Sequence, residues 1–128
     1  MIQFTLLFAA ILGGLAVVFG AFGAHALKKM LTTEQLKSFE TGVKYQMYHA
    51  IVLLLIGFNF TFKTASEKYM VYSFMLGIIL FSFSIYGLVI SSAKNKKLTF
   101  LGPVTPIGGL FLIIGWILLF VSILNMQF

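Results

Sequence analysis

Residues 69–93 read YMVYSFMLGIILFSFSIYGLVISSA, with Lys68 before, Lys94 after and no charge between them. A bilayer hydrocarbon core ~30 Å thick is crossed by roughly 20 apolar residues in a helix. The stretch is long enough, and its lysines stand where headgroups would meet them. Three more apolar runs lie around it, and short lysine-bearing loops separate all four. The expectation is all-α: a four-helix transmembrane bundle forming one integral membrane domain over 1–128. Its spans fall at about 2–26, 43–62, 69–93 and 105–126.

Composition sets the same solvent. The chain is 60% hydrophobic and 9% charged, where a soluble domain carries roughly 25% charged residues. The loops are too short for a separate catalytic domain. Every basic residue is Lys, and the net charge is +6. Because the lysines flank apolar runs, they read as topology signals and contacts to anionic headgroups, not as a nucleic-acid surface. The absence of cysteine excludes disulfides, thiolate catalysis, Cys-ligated zinc and iron–sulfur clusters.

Ala24-His25-Ala26 mimics a signal-peptide cleavage site. No Lys or Arg precedes the first run, however, and the run is longer than a usual apolar signal core. Lys28 and Lys29 just after it predict an uncleaved span with its N-terminus outside. Thr32 with Gln35 makes a capping box, and Leu31 with Leu36 a hydrophobic staple. Leu36, Phe39 and Val43 then recur at helical spacing opposite Lys37 and Glu40, predicting a short amphipathic surface helix between spans 1 and 2. At span 4, Thr105 is placed to cap and Pro106 to open the helix. Loops 1–2 and 3–4 hold seven of the nine lysines, so they are expected on the cytoplasmic side, with both termini outside.

Small residues recur every four positions at Ala16, Gly20 and Ala24 and at Ser73 and Gly77, and Gly108-Gly109 opens span 4. Such stripes let helix backbones approach where lipid supplies no hydrophobic force between helices. They predict packing within the bundle, or else a homo-oligomer.

Polar groups within a membrane are costly and default to functional hypotheses. His25, His49, Tyr86 and Thr105 come from four different spans and all fall in the expected cytoplasmic leaflet. Tyr45 shares a helix face with His49. His25 reads as a helix-end residue or a ligand. His49 reads as a cross-helix hydrogen-bonding group or as one that changes protonation near neutral pH. Tyr45, Tyr48 and Tyr86 suit an aromatic belt, and Trp116 lipid or core packing. Lys28, Lys29, Lys94, Lys96 and Lys97 would rim a site for a phosphate headgroup. Two histidines without cysteine or a paired carboxylate make a poor metal set. No haem, nucleotide or other cofactor motif is present, and none is expected. No serine–histidine–acid set exists within the spans, so enzyme function ranks last.

The segments Gly20-Ala21-Phe22-Gly23-Ala24-His25-Ala26-Leu27 and Phe39-Glu40-Thr41-Gly42-Val43-Lys44-Tyr45-Gln46-Met47-Tyr48-His49 resemble signatures of the family catalogued as domain of unknown function 423. Phe81-Ser82-Phe83-Ser84-Ile85-Tyr86 and Leu101-Gly102-Pro103-Val104-Thr105-Pro106-Ile107-Gly108-Gly109 are similar to its later segments. Its eukaryotic relative is transmembrane protein 256. The resemblance implies a small multi-spanning membrane protein, in bacteria of the inner membrane, and brings no biochemical activity with it. It maps the family's recurring polar positions onto His25, Glu40, Tyr45, Gln46, His49, Tyr86 and Thr105.

The leading functional expectation is a pocket for a lipid headgroup or small amphiphile around Tyr45, His49, Tyr86 and Thr105. The alternatives are an oligomeric small-solute or proton-linked transporter or channel, and a scaffold subunit docking a larger membrane complex through the surface helix. The partners expected are membrane lipids, a second copy of the chain or a membrane complex.

Overall fold

The computed structural model describes residues 1–127, and the side chain of Ala24 also lies outside the described residues. The small-residue stripe that was expected to end on Ala24 is therefore described only at Ala16 and Gly20. Among the described residues all regular structure is helical. Helix α1 (Ile2–Val18) runs through a π-helical turn, Phe19–Gly23, into α2 (Ala24–Leu27). Helix α3 is Thr33–Asn59. Helix α4 (Ala65–Ile78) runs through a second π-helical turn, Ile79–Phe83, into α5 (Ser84–Ala93). A 3-10 turn, Thr99–Leu101, leads to α6 (Val104–Leu124).

Three of these four rods, Ile2–Leu27, Ala65–Ala93 and Thr99–Leu124, are long and apolar enough to cross a membrane. The fourth, α3, has the length, with 27 residues, but Lys44, Gln46 and His49 dilute its apolar character.

The separate surface helix between spans 1 and 2 is not formed. The capping box is: the Gln35 N–H donates to Thr32 Oγ1 at 3.2 Å, and the Thr32 N–H to Gln35 Oε1 at 3.0 Å. Leu31 and Leu36 meet in one apolar cluster. The helix begun there continues unbroken to Asn59, so the amphipathic segment is the first part of the same helix as the stretch expected to be span 2. No proline interrupts it. Gly42, which costs about 1 kcal/mol against Ala in a helix interior, is used for a close approach: a Cβ there would stand 2.7 Å from Cε1 of Tyr86.

At the far end α3 stops at Asn59. Phe62 adopts φ 55°, left-handed backbone that a bulky residue rarely takes, and it is held there by burial in the main core. Thr64 caps α4 by accepting the Glu67 N–H at 3.2 Å. At α6 the expected cap is displaced. Pro103 precedes the first turn and Thr105 lies inside it, leaving its hydroxyl free to reach across to α5.

Helix α1 packs along α3, α4 packs along α6, and α4–α5 lies between α3 and α6. Neither α1 nor α3 packs along α6. The result is an open row with α4–α5 as its most buried member. Helix α1 buries only Thr5, Ala9, Leu12 and Ala16, and α6 only Gly108, Leu112, Gly115 and Ser122, each a single stripe at helical spacing. A Cβ on Gly77 would meet the Leu112 backbone N at 2.9 Å, and one on Gly108 would collide with the Leu80–Phe81 backbone. These two close approaches are made within the chain.

Candidate functional site

The polar residues singled out from the sequence do not converge on one point. Gln46, Tyr86 and the backbone of α1 form the first contact. The Tyr86 hydroxyl donates to Gln46 Oε1 at 2.7 Å, and Gln46 Nε2 donates to the Leu12 carbonyl at 2.8 Å. Gln46 is fully buried. The pair ties α1, α3 and α5 together, within an aromatic surround in which Phe19, Phe39 and Phe83 lie 5.2, 5.1 and 5.5 Å from the Tyr86 ring. Ser82 in the second π-helical turn adds a bond of 2.7 Å to the Gly42 carbonyl.

The second contact joins α3 to α6. The Trp116 indole N–H donates to His49 Nε2 at 3.1 Å, and His49 Nδ1 lies 2.7 Å from the Tyr45 carbonyl. An indole N–H only donates, so Nε2 accepts and the proton sits on Nδ1, donated to Tyr45. Both ring nitrogens are thereby committed in the neutral imidazole.

The third contact is Ser84 with Thr105, whose hydroxyls lie 2.6 Å apart. His25 and Glu40 are exposed and take part in none of these contacts. The five rim lysines are exposed as well.

Three cavities lie along the gap that α3 and α6 leave above α4–α5. The first, about 630 Å³, is lined by Glu34, Gln35 and Ser38 of α3, by Ile85, Leu88, Val89 and Ser92 of α5, and by Lys97, Thr99, Gly102, Thr105 and Pro106. Local structure holds these walls. The capping box fixes the first turn of α3. At the end of α5, Asn95 takes φ 57°, its N–H donates to the Ser92 carbonyl, and the Lys96 N–H donates to the Ser91 carbonyl. That is the Schellman arrangement, for which Asn is one of the few suitable side chains. The Leu98 N–H then donates to Ser91 Oγ at 3.1 Å, which sets Lys97 and Thr99 at the rim.

The second cavity, about 520 Å³, is lined by Tyr45, His49, Phe81, Pro106, Gly109, Leu110, Leu112, Ile113 and Trp116. Pro106 borders both. Beyond Trp116 a third, about 390 Å³, runs from Val52 to Met126 and is almost wholly apolar. The Trp116 indole, 48% exposed, stands between the second and third.

Sequence reasoning named Tyr45, His49, Thr105 and Lys97 among these walls. It missed Glu34, Gln35, Ser38, Ser92 and Thr99, which lie in loops or end turns, and it read Trp116 as packing. The available signals were the capping box, which fixes the helix face carrying Glu34 and Ser38, and Asn95 in the third loop. Tyr86 and Gln46 are spent on each other.

Apolar rods, exposed apolar faces and buried cross-helix hydrogen bonds define a helical membrane protein. The model of the family described as "Protein of unknown function (DUF423)" matches residues 19–109, and the chain belongs to that family. It is 40% identical over 108 residues to the UPF0382 membrane protein SAB0533 of Staphylococcus aureus (strain bovine RF122 / ET3-1), covering 84% of each chain. It is 34% identical over 126 residues to the UPF0382 inner membrane protein YgdD of Escherichia coli (strain K12), covering 98% of this chain and 92% of the relative. No solved structure matches the chain.

Proposed function

We propose that this protein binds a membrane amphiphile, with the polar head in the cavity between Glu34 and Lys97 and the apolar part along the groove past Tyr45, His49 and Trp116. The observation that carries the reading is the shared wall at Pro106 between a cavity with a polar rim and an apolar groove. Ligand sites are concave, largely apolar and marked by a few polar groups.

The depth fits a lipid. Helix α3 is about 40 Å long at ~1.5 Å per residue, against ~30 Å of hydrocarbon. The excess of about 10 Å is the first two turns of α3, which carry Glu34, Gln35 and Ser38. Placed there, the cavity lies at headgroup height.

The same proposal takes four crossings in the cell (inner) membrane, both termini outside and the cavity on the cytoplasmic side. The lysine bias supports that orientation, and the name of the Escherichia coli relative supports the membrane. His49 acts here as a wall of the groove held by Trp116, and Tyr45 and Thr105 border the ligand directly.

Native mass spectrometry of protein extracted gently from its own membrane tests the reading. The expected result is a lipid-sized adduct that is lost in Gly109→Leu, which fills the groove. An adduct unchanged in that variant overturns the reading. A clean protein mass also overturns it and moves the weight to the transporter or scaffold alternatives.

A further inference from the structure

We infer that the head cavity selects a zwitterionic headgroup with a phosphate and a primary ammonium, of the phosphoethanolamine type. This rests on the amphiphile reading and adds the chemistry of the head. Glu34 and Lys97 line one cavity from opposite elements, the first turn of α3 and the loop after α5. An acid at a helix start is favourable in itself, but that does not account for an ammonium that lines the same space.

Neither charge is spent in a side-chain hydrogen bond among the described residues, and the same holds for the Ser38, Ser92 and Thr99 hydroxyls. Lys97 with the hydroxyls suits a phosphate. Glu34 suits a cation, and a headgroup with a second negative charge or none would leave one wall uncompensated. A quaternary ammonium is best held by aromatic faces, and no aromatic residue lines this cavity. A primary ammonium donates hydrogen bonds, for which Glu34 and Ser38 supply acceptors. Choline-type heads are thus disfavoured by the lining, and anionic heads by Glu34.

The experiment is lipid competition on the intact protein in vesicles. Phosphatidylethanolamine, phosphatidylcholine and phosphatidylglycerol with the same acyl chains are mixed in equal amounts, and the retained lipids are read by native mass spectrometry. Wild type is expected to retain phosphatidylethanolamine by up to about fivefold over the others, the range that exposed ion pairs reach. Glu34→Gln removes that preference and raises phosphatidylglycerol retention. Lys97→Gln lowers retention of all three. Both side chains are exposed, and an unchanged far-ultraviolet circular dichroism spectrum verifies that each variant is folded. Lipid retained with no order among the heads, or an order unchanged in Glu34→Gln, overturns this inference and leaves the amphiphile reading standing. No retained lipid in wild type overturns both.

Discussion

The Tyr86 hydroxyl donates to Gln46 Oε1 in a fully buried contact, and the other end of the same amide donates to the Leu12 carbonyl. One side chain therefore bridges three helices. Among the described residues, no buried side-chain polar atom lacks a partner. Tyr86→Phe strands the Gln46 oxygen, and the expected loss is about 1–2 kcal/mol, read by unfolding in mixed micelles of rising denaturing detergent. Gln46→Leu combined with Tyr86→Phe is expected to cost less than the sum of the two, because no stranded oxygen remains. Additive losses would show that the two residues act separately.

Trp116 is the single tryptophan of the chain, so intrinsic fluorescence reports its bond to His49 without interference. His49→Phe removes the acceptor, keeps an aromatic ring and is expected to move the emission to shorter wavelength. An emission maximum identical to wild type would mean that the indole is not bonded to His49 in the membrane.

The glycines divide by what surrounds them. At Gly108 an added Cβ meets the backbone of the second π-helical turn, whereas at Gly14 it meets nothing within 4 Å. Gly108→Val is expected to destabilise by about 1–3 kcal/mol, the usual range for overpacking. Gly14→Ala is expected to be neutral or to stabilise by up to about 1 kcal/mol. Equal losses in a thermal unfolding series would contradict the close approach of α6 to Phe81.

Because the sequence contains no cysteine, single cysteines map the orientation cleanly. Thr33→Cys and Lys96→Cys are expected to be protected from a membrane-impermeant thiol reagent added outside intact cells. Thr61→Cys is expected to react. The opposite pattern would invert the orientation, and labelling of all three from outside would remove the crossing assigned to α3.

The four long rods and their lysine-bearing ends could be read from composition and spacing, because in lipid the backbone has to satisfy itself within helices. The Thr32–Gln35 box was equally legible, since capping is local chemistry. What spacing did not reveal was where α3 begins to be a span. An amphipathic start and an apolar continuation share one helical period, and only the absence of a breaker between Lys37 and Tyr45 tells that they are one element. The polar residues grouped by depth fall into three separate contacts, Gln46 with Tyr86, His49 with Trp116 and Ser84 with Thr105. Depth along a helix is readable, but the angle about its axis depends on neighbours, and two π-helical turns shift that angle in spans 1 and 3. Gln46 and Tyr86 thus face each other, while His49 faces Trp116.

Helix α3 contributes Ser38 to the first cavity, Gln46 to the three-helix strut and His49 to the Trp116 bridge, and it runs through all three as one helix. Mechanically these are three fittings on a single beam. An unbroken helix carries a tilt at one end toward the other, so an occupant of the cavity proposed at the Glu34 end would also bear on the gap at Trp116 and on the seating of α1 at Leu12.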